Sequence, residues 1–123
     1  MQEKAEIKIS AIAVEAILMQ AAEKELIILN ELLAHKTVIE DLIISYYFKS
    51  RGRIFDVRLN RPTLDENCNG FFNVSYTVGH FNACADVDTS EEESMKIQLW
   101  SDLENGIIML EGEYIPEREP DEF

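Results

Sequence analysis

Apolar residues recur with two different periods along this chain, and the change falls near residue 52. Before it the spacing is helical. At about 100° per residue, Val14, Leu18, Ala21, Ala22, Ile28, Leu29, Leu32 and Leu33 share one face. Gln20, Glu23, Lys24 and Glu31 fall opposite. Ser10 is placed to cap the start of this run, so the pattern predicts one helix over 11–34. Ile7 and Ile9 alternate with Glu6 and Lys8, which gives the beginning an alternative reading as a strand.

A second helix is expected to begin at Thr37. Thr37 and Glu40 have the spacing of a capping box, in which each side chain accepts the other residue's backbone N–H. Residues 38–49 are apolar nearly all round (Val38, Ile39, Leu42, Ile43, Ile44, Tyr46, Tyr47, Phe48), and Gly52 is a natural stop. A helix with so little polar face needs cover on most sides, from its own domain or from a second chain. That need predicts a homodimer.

After residue 52 the period becomes two. Phe55, Val57 and Leu59 alternate within 54–59. Residues 60–70 hold Pro62, Asn67, Asn69 and Gly70, which signal a loop. A long strand region follows over 71–87, with Phe72, Val74, Tyr76 and Val78 on one face. The apolar parity then changes to Phe81, Ala83, Ala85 and Val87, which predicts a bulge at Gly79. Strands are expected over 95–100 and 107–114, joined by a tight hairpin at Asn105-Gly106. The order predicts an α+β fold: two N-terminal helices packed on one face of an antiparallel sheet of about four strands. It reads as a single domain over 1–123, helical over about 10–51 and β over about 53–115, with a short acidic tail over 116–123.

Charge divides the chain at nearly the same place. Residues 1–62 hold nine acidic and nine basic side chains. Residues 63–123 hold fifteen acidic side chains against Lys96 and Arg118, and so carry the whole net charge of −13. Phosphate binding needs clustered Lys and Arg, so this balance argues against nucleic acid and anionic membranes as partners. The one basic cluster, Lys49, Arg51, Arg53, Arg58 and Arg61, reads as charges around a helix end and an exposed strand. No apolar run nears the ~20 residues of a membrane span. Mixed early charges do not suit a secretion signal, and two cysteines make no disulfide framework. A soluble, cytoplasmic protein is the expectation.

The acidic run Asp86, Asp88, Glu91, Glu92, Glu93 is expected as a loop between strands. It departs from a calcium loop, since Glu91 stands where the sharp-turn glycine belongs and Ile97 where the bidentate glutamate belongs. A solvated turn and a contact surface for a basic partner are the remaining readings. His80 and Cys84 lie about 13 Å apart on a strand, too far to share a metal ion. Glu25 lands inside the apolar helical stripe, where a buried carboxyl would have a raised pKa. Trp100 has the opposite parity to Met95, Ile97 and Leu99, and on an exposed sheet face it is a candidate interface anchor.

No catalytic or cofactor motif stands out. The expected function is therefore protein binding: an acidic module that inhibits or neutralises a partner with a basic surface, such as a nucleic-acid-handling enzyme. Asp86, Asp88, Glu91, Glu92, Glu93, Trp100, Asp102 and Glu104 are its candidate contacts, with no cofactor and no metal. The alternatives are a small enzyme or ligand-binding protein using Glu25, Tyr76, His80 and Cys84, and an oligomeric assembly subunit.

Overall fold

One strand precedes the helices and the others follow them. β1 (Lys4–Lys8) leads to α1 (Ala11–Leu18), α2 (Lys24–Ala34) and α3 (Lys36–Tyr47). Then come β2 (Arg53–Leu59), β3 (Thr63–Leu64), β4 (Gly70–Asn82), β5 (Val87–Asp102) and β6 (Ile107–Glu111). The computed structural model describes residues 2–20, 23–47, 53–82 and 87–114, those of 80–82 and 87–89 by backbone alone. The sheet order is β1-β6-β5-β4-β2, antiparallel throughout, with β3 also paired to β4. The α+β class with helices against an antiparallel sheet is as expected, but the sheet has six strands and curls into a half-barrel against three helices.

The expected helix over 11–34 is two helices. Ser10 caps the first, its hydroxyl accepting the N–H of Ala13 at 3.2 Å. Met19 ends α1 and Gln20 turns the chain through a left-handed conformation at φ 54°. The break resets the phase of the apolar stripe. Ala13 and Ile17 on α1, with Ile28 and Leu32 on α2, are the buried positions, while Leu18 is two-thirds exposed. Glu31, on the polar side, reaches back to α1: Ser10 donates to its carboxylate from both backbone N–H (2.8 Å) and hydroxyl (3.3 Å).

α3 starts one residue before the expected cap. Thr37 is inside the helix, so its hydroxyl is not at the N-cap, and the chain turns at His35. The helix buries Ile39, Leu42 and Ile43 and half-buries Val38, Tyr46 and Tyr47. It touches both β1 and β2, the first and last strands of the order, so the curl of the sheet brings both rims to one helix. Cover for α3 thus comes from its own chain, and Ile44, at 42% exposure, is its one large apolar side chain left in solvent. The premise for a second chain on this helix does not hold.

The inner face of the sheet carries Ile7, Val57, Phe72, Val74, Tyr76, Val78, Met95, Ile97, Leu99, Ile108 and Leu110, all buried. At about 1.5–3 kcal/mol per buried large apolar side chain, this face and the helices above it are the main source of stability. Tyr46 locks α3 to the strand ends. Its hydroxyl accepts from Glu3 N–H at 3.0 Å and donates to Glu113 O at 2.7 Å. Its ring lies on Gly112, where a Cβ would collide with it.

Three strand expectations need correction. β4 and β5 stay in one unbroken register from Gly70↔Leu99 to Asn82↔Val87, so Gly79 carries no bulge. The irregularity is in β2 between Phe55 and Arg58, with Asp56 at φ 57°. Gly79 instead makes room for the ring of Phe55, 3.1 Å from where its Cβ would stand. The acidic run after residue 86 is strand, because β5 already begins at Val87. The Asn105-Gly106 hairpin exists, but Asp102 pairs with Ile107, so the turn holds the four residues 103–106. β6 ends at Glu111 rather than 114.

Candidate functional site

β4 and β5 are the longest strands, and their far ends run past their neighbours. β2 leaves β4 at the Arg53↔Gly79 pair, and β6 leaves β5 at Gln98↔Glu111. The result, among the described residues, is an arm of β4 and β5 that β2 flanks on one side as far as Gly79 and that is two-stranded beyond it. Glu93, Glu92 and Glu91 lie along it, opposite Tyr76, Thr77 and Val78. Strand alternation sends Glu91 and Glu93 to the inner side and Glu92 to the outer side. All three are exposed. Arg58 on β2 lies 3.5 Å from Glu92, an exposed pair worth no more than about 1 kcal/mol. Among the described residues no other cation pairs with these glutamates.

Asp88 belongs to the same arm, in register with Phe81, and Asp86 lies outside the described residues. The other candidates lie elsewhere. Trp100 is 42% exposed on the outer sheet face, opposite Met109 at 40%. The helices pack on the other face, so Trp100 is uncovered. A shallow depression of about 270 Å³ opens beside it, edged by Lys4, Leu110 and Glu111. Asp102 ends β5 and organises the turn. Its carboxylate accepts Asn105 N–H at 3.1 Å and the Asn105 side-chain amide at 2.8 Å. These bonds hold its pKa below the usual aspartate value. Glu104 is exposed in the same turn. From Glu93 to Asp102 the strand rises roughly 30 Å. The predicted contacts therefore form two acidic poles with Trp100 near one of them, and no single patch unites them.

The residues considered for a pocket do not converge. Tyr76 is in the core. Its hydroxyl is 2.8 Å from that of Tyr47, and the rings meet edge to face at 5.8 Å and 72°. Burial first, then this hydrogen bond, pushes its pKa well above the ordinary tyrosine value. Such a group stays protonated and gives no base. Glu25 sits half-buried in the first turn of α2, which its charge favours. Its charge is a lesser cause, after burial, of a raised Cys68 thiol pKa, and Cys68 precedes β4 at the end roughly 20 Å from Tyr76. Burial is also the main cause that raises the Cys68 thiol pKa. Cys84 and the His80 side chain lie outside what is described. No group of three His, Cys, Asp or Glu among the described residues is placed to hold a metal ion.

Sequence reasoning missed an open hollow of about 620 Å³ between α1 and the β5–β6 turn. Ile9, Val14, Leu18, Met19 and Leu103 give it an apolar lining. The signal lay in α1, whose apolar residues exceed what one buried face can use. No family model, curated protein or solved structure matches this chain.

Proposed function

We propose that this chain is an acidic protein-binding module that inhibits or neutralises a partner with a basic surface, a nucleic-acid-handling enzyme being the fitting class. The arm bearing Glu91, Glu92 and Glu93 carries the reading. Exposed glutamates stand in sequence on a paired, ordered strand, with one weak counter-charge among the described residues. Carboxylates fixed on a strand present a defined spacing to Lys and Arg side chains, which a solvated loop does not. Complementary charge speeds encounter and selects the partner, while apolar contacts slow its departure. Inhibition would come from occluding the basic groove. A cytoplasmic location belongs to the same proposal. No helix among the described residues is long and apolar enough to cross a membrane.

The test is association with basic nucleic-acid-handling enzymes at low salt and at about 1 M, where the Debye length falls to roughly 3 Å. The wild type is compared with a triple variant, Glu91→Gln, Glu92→Gln and Glu93→Gln. Slower association of the variant at low salt, with the difference vanishing at high salt, supports the proposal. Equal rates at low salt reject a role for the arm.

Self-association is a second reading, moved from α3 to α1. Ile12, Leu18 and Met19 are 81%, 66% and 70% exposed beside the apolar hollow. Exposed apolar side chains clustered on one short helix suit a contact between copies. Light scattering of wild type and Leu18→Lys separates the outcomes: a dimer lost in the variant supports this contact, and a strict monomer in both rejects it.

A further inference from the structure

We propose that the rim of β5 at Ser90–Ser94, which no strand of the described residues occupies, is a strand-addition site for a lysine- or arginine-rich extended segment of a partner protein. The inference rests on the basic-partner reading above and adds how that partner is held.

β4 occupies one rim of β5 along its whole length. β6 occupies the other rim only from Asp102 to Gln98. Peptide groups on a strand point alternately to its two sides. Lys96 fixes the phase, because its N–H points away from β4 and donates to the Glu113 carboxylate at 2.8 Å. Counting back by two, the peptide groups of Ser94, Glu92 and Ser90 face this same rim. Among the described residues no strand lies along them. A row of donors and acceptors with no strand partner among the described residues is a template for a further strand. At Lys96 the rim already takes an acceptor from outside the ladder, a carboxylate oxygen standing where a strand carbonyl would be.

Charge selects the occupant. A second copy of this chain pairing along the same rim would set Glu91, Glu92 and Glu93 against the same carboxylates, and like charges opposite one another destabilise a sheet. An added basic strand meets the reverse. Glu92 lies on its outer side, and Glu91 and Glu93 on its inner side. Lys or Arg at either parity then finds a carboxylate. Main-chain hydrogen bonds hold the segment, and the glutamates reject neutral or acidic ones.

Amide hydrogen exchange and affinity with two synthetic peptides of about eight residues test this. One alternates lysine with valine. The other keeps the lysines but carries proline in place of valine, so it has the same charge and cannot pair as a strand. The proposal expects the first peptide to bind at least about tenfold more tightly than the second. It also expects slowed exchange at Ser90, Glu92 and Ser94, with Gln98 and Trp100 unchanged. Equal, salt-sensitive affinity for both peptides without protection at those amides overturns strand addition and leaves the basic-partner reading standing. Absence of salt-sensitive binding by either peptide overturns both.

Discussion

Two stretches of β5 share a strand, a side and a partner strand, yet they are built from opposite chemistry. Met95, Ile97 and Leu99 point inward and are buried; Glu93 and Glu91 continue the same side and are exposed. Across the ladder, β4 stays apolar through both stretches, with Tyr76 and Val78 facing the glutamates. What changes is cover. β6 flanks β5 near Leu99 and is gone by Glu93, whereas β2 still flanks β4 at Val78. Glutamates on a rim with no strand neighbour among the described residues also discourage pairing between copies.

The contrast is open to attack by mutation. Ile97→Ala removes fully buried volume and should destabilise the fold by about 2–5 kcal/mol, measured by urea unfolding. Glu93→Ala, on the same side of the same strand, should change stability by no more than about 0.5 kcal/mol. Equal losses would erase the distinction. Gly70→Ala should cost about 1–3 kcal/mol, because a Cβ there collides with the Thr63 carbonyl and forces β3 off β4.

Tyr76→Phe probes the boundary itself and should cost about 1 kcal/mol, through the lost hydroxyl pair with Tyr47. Its pH dependence has a definite sign. The Tyr76 pKa is raised in the folded state, so its stabilising contribution is complete below the ordinary tyrosine value of 10.0. That contribution falls as pH climbs past 10.0, where the unfolded chain ionises and the folded one resists. Wild type should lose more stability than Tyr76→Phe between neutral pH and strongly alkaline pH. The smallest effect belongs to Arg58→Ala, which should change stability by less than about 0.5 kcal/mol, since the Glu92 pair is exposed on both sides.

Much of the fold was legible wherever local pattern and tertiary need agree. Ser10 caps its helix, 38–47 is helical, and the inner face of β4 follows its alternation. The missed break after Leu18 lies in Leu-Met-Gln-Ala-Ala-Glu, a run of good helix formers without Gly or Pro. Propensity therefore gave no warning. β1 is too short for alternation to settle, and its partner β6 lies about a hundred residues away in sequence. The acidic part of β5 read as loop because Asp and, to a lesser degree, Glu are depleted in strands. The unbroken pairing with β4 overrides that preference. The candidate site was legible in kind, as acidic side chains, and illegible in arrangement. Spacing along a sequence does not reveal that Glu91 and Asp102 sit at opposite ends of one strand.

Residue-resolved amide exchange along β5 in the free protein tests the central claim most directly. Gln98 and Trp100, whose N–H groups face β6, should exchange at least about a hundredfold more slowly than Ser90, Glu92 and Ser94, whose N–H groups face the same rim beyond the end of β6. Strong protection of Ser90, Glu92 and Ser94 without any added partner would mean that the rim is already covered, and would contradict the account.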